Sequence, residues 1–340
     1  MKMQDFKILV NCSARLHMGF FDLNGSLGRK FGSIGLSLET PNLILTAGKS
    51  QTLQVTGISN AQTFNVAQAF IEKLNIQSSV NLHISEQIPQ HAGLGSGTQF
   101  ALAVGAALSR LYHLNLSTRN IASLMGRGSR SGIGIAAFDQ GGVLIDGGRK
   151  DAAGSSGPNL PELNNEKFKH SSQLTPPPLL ARYNFPEQWH ILLILDNAKA
   201  GIHGEQEAMA FKKLPVFSES LAAHLCRHLI MQAMPALLEE DLAAFGNSIQ
   251  ELQAHTGDYF APIQGGRYAS KNVGQVLQYL KTSGAACFGQ SSWGATGFAV
   301  FESQKQAENF LQKLKLIFID PSLAWLICTA RNHGAEITQI

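Results

Sequence analysis

Apolar residues alternate in Val80-Asn81-Leu82-His83-Ile84, the spacing of a half-buried strand. Some fifteen residues on, Phe100 to Leu114 is dominated by Ala, Leu and Val, which predicts a buried helix. Between the two lies Pro89-Gln90-His91-Ala92-Gly93-Leu94-Gly95-Ser96-Gly97-Thr98-Gln99-Phe100, with three glycines at alternate positions. A strand, a glycine turn and a helix start in that order place converging backbone N–H groups at the positive end of a helix dipole.

The rest of the chain divides around this segment. Phe6 to Cys12 predicts a first strand, and Leu36–Leu38, Leu43–Thr46 and Thr52–Thr56 short ones after a loop from Asn24 to Gly35. Val66, Phe70, Ile71 and Leu74 recur at helical spacing, Ser117 to Asn120 reads as the cap of a short helix ending at Met125, and Val143–Asp146 reads as a strand. From Gly147 to Pro186 the chain is rich in Gly, Ser, Asn and Pro, a surface connection that holds the domain boundary. The expected division is residues 1–160, a connection at 161–187, and a second domain at 188–340. The second half alternates strands (Trp189–Asp196, Ala285–Phe288, Gly297–Phe301, Ala324–Thr329) with helices (Leu221–Met234, Pro235–Gln253, Val273–Thr282, Lys305–Leu316). The simplest arrangement is an α+β sandwich, a small sheet with helices on one face.

Bulk properties narrow the function. A length of 340 residues favours two domains, and a net charge of +3 is too small to argue for nucleic acid. Cys12, Cys226, Cys287 and Cys328 are scattered with no C-x-x-C pair, which suits a reducing compartment and disfavours structural zinc. No segment has the length of a membrane span and the first residues do not resemble a signal peptide, so a cytoplasmic protein is expected.

Candidate chemistry gathers at glycine turns. G-x-G-x-G is neither the dinucleotide pattern nor the G-x-x-x-x-G-K-[ST] loop, and its glycines serve a packing turn as readily as a phosphate. Ser96, Thr98 and Gln99 tilt the reading toward phosphate. Arg15, Arg29, Lys30, Arg127 and Arg130 also lie beside glycine turns, which suggests a multiply phosphorylated ligand. Asp22, Glu39, Asp139 and Asp146 are the acids near those turns that an Mg²⁺ ion would look for. His17 sits among apolar neighbours, either a core histidine or a partner of Arg15 and Asp22 in polar work. His224 and His228 stand at i, i+4 without the Glu of H-E-x-x-H and read as helix-face residues.

With these residues in view, Pro89-x-x-x-Gly93-Leu94-Gly95-Ser96-Gly97 resembles the phosphate-binding motif of the GHMP kinase superfamily. Gly289-Gln290-Ser291-Ser292-Trp293-Gly294-Ala295-Thr296-Gly297 resembles that superfamily's C-terminal glycine motif. Arg15 to Arg29, Arg127 to Gly134, Gly201-Ile202-His203-Gly204-Glu205 and Gln264-Gly265-Gly266-Arg267-Tyr268 are similar to one branch of it, the β-ribofuranosylaminobenzene 5′-phosphate synthases. Many of the kinases carry G-x-x-S-G-x-D, with the final Asp in phosphoryl transfer; here Gly134 stands in its place.

The resemblance implies a two-domain GHMP-kinase-like fold, with an N-terminal domain like ribosomal protein S5 domain 2 and a C-terminal ferredoxin-like α/β sandwich. It implies condensation of 5-phosphoribosyl-1-pyrophosphate with 4-aminobenzoate or 4-hydroxybenzoate, releasing CO₂ and pyrophosphate, in tetrahydromethanopterin biosynthesis. Mg²⁺ is then expected and ATP is not, with a homodimer expected on general grounds. The implied phosphate and substrate residues are Gly93, Leu94, Gly95, Ser96, Gly97, Thr98, Gln99, Arg29, Arg127, Arg130, Ser131, Gly132, Gln290, Ser291, Ser292 and Trp293. Arg15, His17 and Asp22 are the implied catalytic residues, and no metal ligands are assigned. The alternatives are an ATP-dependent small-molecule kinase and a non-catalytic phosphate sensor.

Overall fold

The computed structural model describes residues 6–58, 61–76, 79–150, 175–199, 201, 211 and 213–340. Seven strands form the larger sheet: β1 (Lys7–Asp22), β2 (Arg29–Ser50), β3 (Gln54–Gly57), β4 (Ser79–Glu86), β5 (Val143–Lys150), β6 (Leu179–Tyr183) and β11 (Glu336–Gln339). Their order is β11-β1-β2-β4-β3, with β5 beside the first half of β2 and β6 outside β5. All pairs are antiparallel except β3 with β4.

Both opening strands are longer than the sequence suggests. Ile8, Val10, Cys12, Ala14, Leu16 and Met18 alternate into the core along β1, and the ladder with β2 runs on to Asp22 through three register shifts. The polar residues Arg15 and His17, which interrupt the apolar pattern, lie on the other parity. Strand β2 likewise absorbs the expected loop: Phe31 to Leu38 are all buried because β1 and β5 flank them. Helices α1 (Ala61–Lys73), α2 (Ser96–Leu111), α3 (Thr118–Leu124) and α4 (Ile133–Asp139) accompany this sheet, with α2 packed on β1 and β2.

The smaller sheet holds β7 (His190–Asp196), β8 (Cys287–Gln290), β9 (Thr296–Phe301) and β10 (Leu323–Cys328) in the order β10-β7-β9-β8. Counted in chain order that is 4-1-3-2, the ferredoxin-like arrangement. Its helices are α5 (Glu219–His228), α6 (Met234–Glu239), α7 (Leu242–Gln264), α8 (Lys271–Thr282) and α9 (Gln304–Ile317), with a five-residue π-turn, Leu229–Ala233, between α5 and α6.

One expectation needs correcting: helices cover both faces of this sheet. Leu192 and Ile194 pack with Val276, Leu277, Ala307 and Leu314 from α8 and α9. Ile191 and Leu193 face the other way, into the core shared with Phe245, Ile249 and Leu252 of α7. Burial on two sides is why β7 reads as an unbroken apolar run. The connection at 161–187 also carries a strand, β6, which pairs with β5, while residues 151–174 lie outside the described residues. The last strand, β11, belongs to the first sheet rather than to the second half, since Ile8 to Asn11 of β1 pair with Glu336 to Gln339.

Candidate active site

Helix α2 begins without a side-chain cap, as α4 and α6 do. Side chains of Ser117, Ser218, Asp241, Ser270 and Ser303 cap α3, α5, α7, α8 and α9. Helix α2 is capped by Gly95, which has no side chain to offer and sits at φ 83°. The first bonds back to Gly95 O come from Thr98 N and Gln99 N, 3.0 and 3.1 Å, so the Ser96 and Gly97 amides precede the intrahelical ladder. Such orphan donors at a dipole's positive end are an anion site.

The amides face a cavity of about 390 Å³. Gly93, Gly95, Ser96, Gly97 and Thr98 line one side with Arg15 and Arg127, and Ser292, Trp293 and Gly294 close another. Leu43, Val66, Ile88 and Phe100 give it an apolar wall. Leu94 points into the core and anchors the loop, its carbonyl accepting from Arg15 N at 3.0 Å.

Two arginines supply the charge. Arg15 Nη1 donates to Gly93 O at 2.5 Å, and its side chain lies so close beneath Gly95 that a Cβ there would stand 3.1 Å from Nε. Arg127 reaches over Gly97, whose Cβ would stand 3.6 Å from Nη1. Burial lowers the Arg127 pKa, and its Nε is buried without a hydrogen-bond partner, a donor suited to an incoming anion.

The C-terminal glycine turn completes the cradle by backbone-to-backbone contact. A Cβ on Gly294 would fall 2.3 Å from Ala92 O, and one on Gly93 2.3 Å from Ser291 O. Ser291 Oγ donates to Gly93 O at 2.8 Å and accepts from His17 N at 3.0 Å, while Ser292 N donates to His17 O at 3.0 Å. The Trp293 ring packs on Phe260 and Phe211, with Nε1 buried and unpartnered.

Several expected ligand residues have structural work instead. The buried Gln99 side chain donates to Gly134 O at 2.7 Å, tying α2 to α4. Gln290 binds Ala269 N and Ser292 O. Arg29 gives its donors to the carbonyls of Gly147 and Gly148 at 2.8 and 2.6 Å. Arg130 lies over the Phe211 ring, 5.5 Å from its centroid, and does not line the cavity. Asp22 accepts from Asn24 N at 2.8 Å, closing the turn after β1, and does not line the cavity.

Ser131 and Gly132 belong to a second site, already filled from within. The fully buried carboxylate of Asp146 accepts from Ser33 Oγ (2.7 Å), Ser131 Oγ (2.9 Å), Gly132 N (2.8 Å) and Gly148 N (2.8 Å). Burial pushes its pKa up, against the pull of those four bonds.

His17 is neutral: burial, and secondarily the Arg15 charge, lower its pKa to about 3. Its Nε2 has no hydrogen-bond partner and its ring lines a pocket of only about 30 Å³ with Gln253 and Trp293. Sequence reasoning missed Gln253, which donates to Met18 O (2.6 Å) and Gln290 O (3.0 Å) and so joins α7 to both sheets. It also missed that a Cβ at Gly134 would meet Thr98 Cγ2 at 3.1 Å, so the place of the kinases' acid is occupied by the cradle's own threonine.

Among the described residues lining the cavity there is no carboxylate. Asp22 and Asp146 are engaged as above, and Asp139 accepts from Thr118 Oγ1. The described residues therefore do not present the oxygen ligand set of a protein-held Mg²⁺. Of Gly201 to Glu205, Gly201 bonds His91 O at 2.8 Å and lines the cavity, while residues 202–205 lie outside the described residues.

Fold and cradle together define an enzyme of the GHMP kinase type. Models of the GHMP kinase N-terminal and C-terminal domains match residues 61–142 and 233–320. A homoserine kinase structure from Cytophaga hutchinsonii superposes with a TM-score of 0.61 at 13% identity, covering 99% of this chain and 98% of that one. Mevalonate diphosphate decarboxylase from Staphylococcus aureus gives 0.64 at 13% identity, with 98% of each chain covered.

Within that superfamily the chain belongs to the β-ribofuranosylphenol 5′-phosphate synthase family. It is 35% identical to the synthase of that name from Archaeoglobus fulgidus over 95% of this chain and 97% of the relative. The corresponding protein of Methanothermobacter thermautotrophicus is 29% identical over 88% and 90%.

Proposed function

We propose that this enzyme is a decarboxylating phosphoribosyltransferase. It joins 5-phosphoribosyl-1-pyrophosphate to a 4-substituted benzoate and releases CO₂ and pyrophosphate, as a cytoplasmic step of tetrahydromethanopterin biosynthesis and hence of one-carbon metabolism. The phenol in the relatives' names favours 4-hydroxybenzoate over 4-aminobenzoate as acceptor. One observation carries the reading: a cavity with orphan amides and two arginines but no carboxylate among its described lining residues. It suits a polyanionic donor, and among the described lining residues no carboxylate stands where a kinase would use one to take the proton of an alcohol.

The chemistry follows from those groups. The C1–O bond to pyrophosphate breaks with its electron pair leaving on oxygen, and the α2 amides with Arg15 and Arg127 stabilise that developing charge. The arene carbon bearing the carboxylate attacks C1, held against Trp293 and the apolar wall. The C–CO₂ bond then breaks and its electron pair restores the aromatic ring. Carbon dioxide leaves where a proton otherwise would, so the exchange at carbon needs no general base. The neutral, buried His17 is consistent with that economy. In this reading Mg²⁺ would come with the donor, where it would help neutralise the charge of the leaving pyrophosphate.

The test is incubation of the purified protein with the donor, Mg²⁺ and carboxyl-labelled 4-hydroxybenzoate, with 4-aminobenzoate in parallel. Labelled CO₂ and pyrophosphate in equal amounts without ATP are expected. ATP-dependent phosphorylation of an alcohol with no CO₂ overturns the reading. The same preparation at varied concentration in a sizing column reports the homodimer we expect.

A further inference from the structure

His224 and His228 stand one turn apart on α5; Glu251 and His255 stand one turn apart on α7. The helices pack so that the pairs meet. Nε2 of His224 lies 3.0 Å from Oε2 of Glu251, and Nε2 of His255 lies 3.4 Å from the same oxygen. The His224 ring centroid is 4.5 Å from that of His228 and 5.7 Å from that of His255. Ligand atoms of His224, His228 and Glu251 all fall within 4.8 Å of one another. Around tetrahedral zinc, with bonds of about 2.0–2.1 Å, neighbouring donor atoms are about 3.4 Å apart. His224, His228 and Glu251 stand near that spacing, and His255 adjoins them through the shared Glu251 oxygen.

The surroundings prepare the imidazoles for a metal. His228 Nδ1 is 3.1 Å from Gln232 Oε1, an oxygen that Asn247 Nδ2 (3.1 Å) and Ser248 Oγ (2.9 Å) also approach as donors. With the amide so oriented, Nδ1 of His228 carries the proton and Nε2 presents its lone pair, the support that metal-bound histidines usually have. Gln232 itself lies in the π-turn Leu229–Ala233, and such turns are frequent at functional sites. Side-chain exposures of 45%, 37% and 41% for His224, Glu251 and His255 let an ion enter from solvent.

We propose that His224, His228, Glu251 and His255 bind one divalent transition-metal ion, with zinc the best match to three imidazoles and a carboxylate. The site is separate from the cavity and its role is a clip. It ties α5 to the helix whose Gln253 holds Met18 of β1 and Gln290 of β8.

The untagged full chain, stripped with a chelator, is titrated with zinc by calorimetry and with cobalt(II) by visible absorption. One ion per chain is expected, with the intense bands of tetrahedral cobalt and an unfolding midpoint several degrees higher in saturating zinc. Glu251→Gln and His255→Gln, each verified as folded by circular dichroism, should weaken binding at least tenfold. Gln232→Ala, which leaves all four ligands, should weaken it by roughly tenfold or more. Binding of less than half an ion per chain, or unchanged affinity in Glu251→Gln and His255→Gln, overturns the proposal.

Discussion

Two glycine turns of this protein look alike in sequence and differ in what fills them. Gly93–Gly97 and Gly128–Gly132 each lead into a helix and each holds serine; Arg127 and Arg130 accompany the second in sequence, while Arg15 and Arg127 reach the first only in the fold. In the second, Asp146 takes the Gly132 amide and the Ser131 hydroxyl, the place an anion would take. Both helices are capped by a bare glycine, but in the first turn no described carboxylate enters and the amides open onto the cavity. One turn is a scaffold completed by the chain's own anion; the other is, under the proposed function, the seat of an anion from outside. Glycine and arginine content alone cannot separate the two. The whereabouts of the nearest carboxylate does.

Substitutions can break or sharpen this contrast. The largest effect should come from Gly95→Val, which puts a β-branched residue at φ 83° and a Cβ against Arg15. A drop in kcat/KM of about 10²–10³ is expected, on the scale of a lost oxyanion donor, with helix content retained by circular dichroism; unaltered donor affinity would refute the open cradle. Asp146→Asn should act on stability instead, costing about 3 kcal/mol in urea unfolding, because an amide cannot accept from all four donors. A change below about 0.5 kcal/mol would mean the second turn does not depend on its carboxylate.

Next comes the arginine pair. Arg127→Ala should raise the donor KM by roughly 10–100-fold, the value of a charged hydrogen bond, and leave that of the arene nearly unchanged. Arg130→Ala, whose guanidinium sits on Phe211, should raise the donor KM far less. Equal effects would erase the distinction between the turns. The smallest expected effect is catalytic and concerns His17. With its pKa lowered to about 3 from 6.5, it stays neutral across the working range, so His17→Gln should keep the shape of the pH–rate profile from 6 to 8. Stability tells the sign: between about 6.5 and 3 the unfolded chain takes up a proton that the native chain refuses. Native stability therefore falls with pH over that window, and the variant should lose part of this acid sensitivity in unfolding measured at pH 4 to 7.

The cradle was legible because its chemistry is local: glycines, serine and threonine stand next to a strand and a helix with clear periodicity. Strand β7 and most of the helices after it were legible for the same reason, but the expected helix Pro235–Gln253 is two, broken where Glu240 turns left-handed and Asp241 caps α7. What stayed hidden rests on distant partners. Asp146 meets Ser33 across 113 residues, and no spacing in the sequence joins them. Gln253 meets Met18 across 235 residues. His224 and His228 were visible as a pair, but Glu251 reaches them only because α5 and α7 pack together. Strands β1 and β2 ran past their expected ends because flanking strands bury the segments whose polar and glycine residues suggested a loop.

The pairing of β11 with β1 bears on how the protein is made. Lys7 and Ile340 exchange backbone hydrogen bonds of 2.9 Å, and Ile8 to Asn11 wait for partners at Glu336 to Gln339. During synthesis the strand that carries Arg15 emerges first, yet one side of it stays unpaired until more than 300 residues later. Throughout that interval it is an open sheet edge, able to recruit a strand from a neighbouring nascent chain. Residues 336–340 thus act as a seal on β1, and a chain lacking them keeps the residues of the cradle but gains an adhesive border.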